Sequence, residues 1–421
     1  MAQLVRITQR MRATKQLRTA HGKEFLGEEA LGLQARPATR ARDGTLASTA
    51  EKMERTVEKV EQVARKVEES KGGLTFALGG EKNVELQISG QVSRALLFSD
   101  DGSEQEVFHV DNSNSSTRIA FEGTARPNEE LTVGGVFDVE FESNPASDVN
   151  QNTENEPIAN PRFAERKLET YFEHDTWGTL WLGQGDTASD DSSEVDLSET
   201  DLILQSDIDD IGGDLLFRNT TTGALSGVEV GDVVSNLDGL GRSDRIRYDA
   251  PEFKGLTLSL GIAQGGENDV ALAYEGEHGM MEIEAAIAYA NLDSASTSRD
   301  HRTNGSISLL HSESGLSATF AAGRDSLTAG ARDHPTFYYA KFGLQRNWFP
   351  VGLTALAVEY SRMHDEDRNG DEFRNWGGGA VQELNSWSTD LFAGVRNYKL
   401  DRIGAAFEEI TLAMIGARFK F

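Results

Sequence analysis

Between Ala188 and Arg242 the chain carries the carboxylates Asp190, Asp191, Glu194, Asp196, Glu199, Asp201, Asp207, Asp209, Asp210 and Asp214, with no Lys or Arg before Arg218. Like charges at this density set up a negative potential that draws cations and repels anions. A run of this kind also serves as an exposed, solubilising face, so its meaning depends on where the fold holds it. A second acidic constellation, Asp365, Asp367, Asn369 and Asp371 around Gly370, begins like a calcium loop, in which spaced oxygens wrap the ion about a Gly turn. Position twelve of that pattern is Trp376 rather than Glu, which excludes an EF-hand and leaves a loose Ca2+ contact in an exposed loop. No other cofactor is implied.

Catalytic chemistry finds no support. His21, His109, His174, His278, His301, His311, His334 and His364 are scattered, and the chain has no HExxH pair, no G-x-S-x-G elbow and no P-loop. No catalytic residue is assigned, and the chain is not read as an enzyme. A formal net charge of -28 argues against nucleic acid as a partner, since phosphate binding needs a basic surface. Without Cys, neither a disulfide framework nor a thiolate metal site can form.

The elements that would position these groups follow from periodicity. In Val84–Ser99, residues Val84, Leu86, Ile88, Val92, Leu96 and Phe98 share one face while Glu85, Gln87, Ser89, Gln91, Ser93 and Ser99 share the other. Arg94 breaks the apolar face and marks a bulge or an interface. The same alternation recurs in Thr117–Ala125, Leu131–Phe141, Arg166–His174, Thr179–Thr187, Asp244–Ala250, Leu256–Ala263 and Asp269–Gly276. It continues through Met280–Tyr289, Asn304–His311, Leu316–Gly323, Thr336–Arg346 and Leu353–Met363. Reading Gly378–Leu384 and Thr389–Tyr398 as two strands joined by a tight turn, and Ile410–Phe421 as the last, gives sixteen. No run reaches the roughly 18 apolar residues of a membrane-spanning helix, but barrel strands hide from such a test because their two faces alternate. Short connections such as Arg126–Glu130 and Ser312–Gly315 alternate with long polar ones such as Phe141–Pro161 and His364–Gly377. Short turns on one rim and long loops on the other are what an up-and-down membrane barrel requires. The expected fold is therefore an all-β, sixteen-stranded antiparallel transmembrane barrel over 84–421.

The start of the chain reads differently. Residues 1–48 are expected to be a disordered basic segment, with Arg6, Arg10, Arg12, Lys15 and Arg18 and no recognisable secretory signal. Over 49–73, Met53, Val57, Val60, Ala64 and Val67 recur at alternating spacings of four and three. This predicts an amphipathic helix with a coiled-coil seam.

Ser116–Gly123 (STRIAFEG), Gly178–Gln184 (GTLWLGQ), Arg247–Gly255 (RYDAPEFKG) and Gly416–Phe421 (GARFKF) stand in an order and spacing that resemble the trimeric general diffusion porins of Gram-negative bacteria. The final strand, with Phe419 and Phe421, is similar to the signature that the barrel-assembly machinery of the outer membrane reads. The resemblance implies a homotrimer in the bacterial outer membrane, in contact with lipid and lipopolysaccharide, passing small hydrophilic solutes through water. It also implies that the third external connection, about 188–242, folds into the lumen. There its carboxylates would face basic wall groups across the narrowest point, favouring cations. Parity places Arg118, Lys167, Arg245, Arg247 and Arg396 on the polar faces as candidates for that wall. A competing expectation is a structural anchor or adhesin, with the helix as a stalk and no conductance.

Overall fold

The computed structural model describes residues 73–78, 84–153, 162–292, 298–328 and 332–421. The basic segment 1–48 and the helix expected over 49–73, save its last residue, lie outside the described residues, which begin with strand β1, Gly73–Leu78. After it come β2 Val84–Asp100, β3 Gln105–Asp111, β4 Arg118–Ala125, β5 Leu131–Glu142, β6 Arg162–His174 and β7 Gly178–Asp186. A small hairpin of β8 Leu216–Arg218 and β9 Leu225–Glu229 interrupts the series. The chain resumes with β10 Arg242–Asp249, β11 Leu256–Ala263, β12 Asn268–His278, β13 Met281–Asn291, β14 Arg299–His311 and β15 Leu316–Leu327. It finishes with β16 Thr336–Phe349, β17 Gly352–His364, β18 Glu372–Leu384, β19 Thr389–Arg402, β20 Ala405–Ala406 and β21 Ile410–Lys420.

Neighbours in the sheet are antiparallel, and β21 pairs back onto β2, with Gln91 opposite Lys420 and Asp100 opposite Thr411. That pairing closes the sheet on itself. Along the other edge of β2, strands β3 and β4 lie end to end. In the same way β1 and β20 continue the line of β21 beyond its two ends. The 19 strands of the sheet thus make sixteen staves of one barrel.

The burial pattern is inverted relative to a water-soluble protein. On β14, Asn304, Ser306 and Ser308 are buried while Ile307 faces out, and on β17, Glu359 and Ser361 are buried while Val358 and Tyr360 face out. Ile262 is 65% exposed and Ser308 0%, an arrangement stable only if the outside solvent is hydrocarbon. Exposed aromatic rings form two girdles, with Trp177, Phe253, Trp348 and Trp387 by the turns and Tyr289, Tyr338, Tyr360 and Trp376 toward the other rim.

Turns at 126–130, 175–177, 250–255, 279–280, 312–315, 350–351 and 385–388 share one rim. Gly255 and Gly315 have φ of +83° and +68°, and a Cβ at either would run into a carbonyl oxygen of the neighbouring strand, that of Glu275 or Gln345. The opposite rim carries the longer connections, although 101–104 and 264–267 are as tight as the turns. Two departures from the sequence reading have a local cause. Strand β3 went unread because its partner is only the second half of β2, so its pattern is short. Strand β18 begins at Glu372 rather than Gly378 because Phe373 and Asn375 pair with Leu400 and Tyr398 beyond the glycines. Arg94 faces outward where β3 and β4 part, bonded to Asp111 at 3.3 Å and to the Ser143 carbonyl at 2.6 Å.

Candidate functional site

The connection 187–241 does not stay on the rim; it is bound by side chains that point into the barrel. The hydroxyl oxygens of Ser306 and Ser308 accept the amides of Val195 (3.1 Å) and Leu197 (2.9 Å). Gln345, near the turn end of β16, donates to the Leu197 carbonyl at 2.9 Å. Lys341 pairs with Asp196 at 2.7 Å and donates to the Leu204 carbonyl at 2.8 Å. Arg396 donates to the carbonyls of Gln205 (3.1 Å) and Ile208 (3.0 Å), and the Tyr398 hydroxyl donates to that of Ile211 (2.7 Å). The loop thus descends along β14–β16, crosses to β19, and climbs back. Near the long-loop rim, Arg218 clasps Asp101 through two bonds of 3.0 and 2.8 Å and reaches Glu104 at 2.8 Å.

The loop has two faces, and this partition gives the lumen its chemistry. Leu202, Leu204, Ile208, Leu215 and Phe217 are fully buried and share one apolar cluster with the inner-wall residues Leu97, Phe108, Phe337 and Tyr398. The wall is hollowed to admit them, since a Cβ on Gly379 or Gly394 would lie 2.8 or 2.5 Å from Ile203. The ten carboxylates proposed from the sequence remain at least partly open to water. Apolar side chains hold the loop, and acids are left to the lumen.

Those acids are crowded. Asp190, Asp191 and Asp238 bring carboxylate oxygens within 4.8 Å of one another. Asp238 accepts the amides of Asp191 (2.7 Å) and Ser193 (2.6 Å). Burial, then the like charges of Asp191 and Asp186, pushes Asp190 up to about 8. Asp209 and Asp238 are raised to about 6, mainly by burial, and Glu194, Asp207 and Asp210 are held above the usual carboxylate range by burial and neighbouring acids. Asp196 is committed to Lys341, whereas Glu199 and Asp201 are exposed and Asp214 is half-buried.

A basic row lines the wall on β4, β6, β10 and β21, and its Arg242 lies near Asp190. Arg118 of β4 lies among Asp138, Glu140, Arg166 and Arg418. Arg166 and Lys167 of β6 pair with Glu140 and Asp186, and Arg242 at the start of β10 is 4.0 Å from Asp186. Arg418 of β21 bonds Asp390 at 2.8 Å and the Ser115 hydroxyl at 3.0 Å. Three wall candidates take other parts. Arg245 is buried against Glu169 and the carbonyls of Asp186 and Gly183, and Arg396 is buried against Glu359 at 2.7 Å, so neither lies open to solute. Arg247 is spent on Asp249 and the Thr187 carbonyl. Sequence reasoning missed Arg166, Arg242 and Asp238. An irregularity at Asp138/Val139 shifts the parity of β6 at Arg166, and Arg242 and Asp238 sit at the loop's far end, where no period exists.

The calcium-like segment is arranged otherwise. Arg402 binds Asp371 (2.5–3.1 Å) and Asp367 (2.6 Å), Asp365 accepts the Gly370 amide at 2.7 Å, and Asn369 accepts the Asp333 amide at 2.9 Å. Two of the four candidate ligands, Asp367 and Asp371, are thus paired with an arginine guanidinium.

With the closed barrel and its infolded loop in place, comparison with known proteins is decisive. The family model described as Gram-negative porin matches residues 73–402. The chain belongs to that family. Its fold is shared with an anion-selective porin from Comamonas acidovorans, with a TM-score of 0.52 and 14% identity over 80% of this chain and 100% of the other. OmpT, an outer membrane protein of Vibrio cholerae solved in its trimer form, aligns with a TM-score of 0.52 and 11% identity over 80% of this chain and 99% of its own. The outer membrane channel DcaP of Acinetobacter baumannii gives 0.50 and 11% over 82% of this chain and 100% of its own. No curated protein sequence matches the chain. This porin is accordingly a channel-forming barrel of the bacterial outer membrane, and family and fold point to a channel rather than to an enzyme.

Proposed function

We propose that this porin passes small hydrophilic solutes and ions by diffusion and prefers cations. The observation that carries the preference is the two-faced loop, whose apolar side faces the wall while Asp190, Asp191, Glu194, Asp207 and Asp210 remain in contact with lumen water. Much of the basic row is neutralised in place, Arg166 by Glu140 and Lys167 by Asp186, whereas the loop has no basic residue before Arg218. The net field along the path is therefore negative once these burial-raised carboxylates have lost their protons, and ionised carboxylates at a narrow place raise the local cation concentration. The Comamonas relative is named anion-selective, so sign of selectivity is carried by loop and wall residues rather than by the fold.

Assembly as a homotrimer fits the trimer form of the Vibrio relative and the small residues Gly378, Ala393, Ala413 and Ala417 on the outward faces of β18, β19 and β21. Outer-membrane lipid, lipopolysaccharide and the barrel-assembly machinery, met at Phe419 and Phe421, complete the proposed partners. The test is single-channel recording of the refolded protein in a planar bilayer, with the reversal potential read under a salt gradient. Stepwise conductance with a cation-selective reversal is expected. An anion-selective reversal overturns the preference, and a silent bilayer from a folded, heat-modifiable barrel overturns the channel and favours the anchor or adhesin.

A further inference from the structure

The outward girdle on the long-loop side is interrupted at one place. Row by row, Tyr289 of β13 stands opposite Thr303, which stands opposite Arg324 and then Thr336. One step inward the row is Ile287, Gly305, Ala322 and Tyr338. Between the girdle rings Tyr289 and Tyr338, strands β14 and β15 therefore offer only a threonine, a glycine, an alanine and an arginine. The gap opens a groove of about 930 Å³ floored by Gly305, Ala322 and Ala340 and walled by Ile307, Phe320 and Tyr360. From Arg324 to Phe320 it runs about 13 Å along the strand into the hydrocarbon zone.

Arg324 is exposed, and among the described residues no carboxylate pairs with it. An arginine at girdle height sits where lipid headgroups lie, and its planar fork matches a phosphate. An apolar groove with a free cation at its mouth is complementary to an amphiphile with an anionic head. The groove opens toward the long-loop rim, which in bacterial barrels is the external one, so the occupant comes from the outer leaflet.

We propose that this groove is a binding site for the lipid A portion of lipopolysaccharide, with one acyl chain lying over Gly305, Ala322 and Ala340 and a phosphate on Arg324. The site rests on the membrane-barrel placement and not on conduction, so the two readings fail separately. A ring at Ala322 would fill the groove and a neutral residue at Arg324 would remove the phosphate contact, yet both positions face outward and touch neither the loop nor the lumen.

The experiment is native mass spectrometry of the full chain in detergent, titrated with lipid A, with phosphate-free lipid A and with phosphatidylethanolamine. Wild type, Arg324→Gln and Ala322→Trp are compared, each first shown to be a heat-modifiable barrel that conducts like wild type. Loss of one charge-assisted phosphate contact corresponds to roughly tenfold weaker binding. Retained lipid A is expected to fall about that much in Arg324→Gln and in wild type given the phosphate-free lipid, and in Ala322→Trp to fall for both forms. Equal retention by all three proteins, indifference to the phosphate, or equal uptake of phosphatidylethanolamine overturns the assignment. A change of oligomeric state in the variants with lipid retention unaltered also overturns it, because the groove would then be covered by a second copy of the chain.

Discussion

Arg396→Met separates the charge that fastens the loop from the packing that keeps it in the lumen. Glu359 has no exposed side-chain surface, and beside Arg396 at 2.7 Å its partners among the described residues are the Tyr339 hydroxyl at 2.9 Å and the Asn375 amide at 3.1 Å. Removing the arginine strands a buried carboxylate, a loss of about 3–5 kcal/mol. That is roughly two to four powers of ten in the folding equilibrium. The Gln205 carbonyl loses its donor as well, whereas the Ile208 carbonyl keeps Tyr398 at 3.1 Å. Leu202, Leu204, Ile208, Leu215 and Phe217 stay buried in the variant, and at about 1.5–3 kcal/mol each they outweigh that lost anchor. The loop should therefore remain docked. Urea unfolding of the refolded barrel, followed by heat-modifiability and tryptophan fluorescence, should show the full loss in Arg396→Met. Most of it should return in the double variant with Glu359→Leu, because a buried pair exchanged for apolar groups is often neutral. Single-channel conductance should change little in either. A single-variant loss below about 1 kcal/mol, or a double variant as weak as the single, would refute this account of the loop's attachment.

The remaining expectations concern the lumen. Asp190→Asn with Asp191→Asn should move the reversal potential in a salt gradient toward zero, and an unchanged value would place these carboxylates outside the permeation path. Asp209 and Asp238 are raised to about 6 and Asp190 to about 8, so between the ordinary carboxylate range and those values the folded protein binds more protons than the unfolded chain. The stability these three groups contribute is therefore greatest below the ordinary carboxylate pKa and is lost as pH rises through roughly 4 to 8, while cation selectivity rises over the same window. Urea midpoints and reversal potentials at both ends of the window should move in these opposite directions. Gly394→Leu drives a side chain into Ile203, 2.5 Å from the glycine's missing Cβ, at about 1–3 kcal/mol of overpacking. It should displace the loop locally and alter conductance without unfolding the barrel, and a wild-type current trace would contradict that packing. Arg218→Ala frees the loop from Asp101 and should increase current noise at unchanged mean conductance, whereas identical noise would show that the clasp does not restrain the loop.

Strand alternation is a local property, because successive side chains of an extended chain must point to opposite faces. For that reason Val92, Phe98, Phe320 and Val358 announced their outward face from sequence alone, and even the split of β18 from β19 was legible. Loop chemistry was legible too, as a count of acids without bases. The membrane girdle could be seen only as scattered rings, since the height of Tyr289 relative to Tyr338 depends on register across several strands.

Amino-acid order by itself determined a sixteen-stave barrel with a polar interior and an acidic third loop, because two-residue periodicity and composition do not depend on distant partners. Tertiary structure alone decided that the loop's Leu and Ile residues would outcompete water for the inner wall of β16–β21 and leave its acids in the lumen. It also decided which cations stay open there. Arg118 faces the lumen, while Arg245 and Arg396, placed on polar faces by the same alternation, are consumed by Glu169 and Glu359. Pairing of buried charges depends on a few ångströms across strands far apart in sequence, and no spacing along the chain carries that distance.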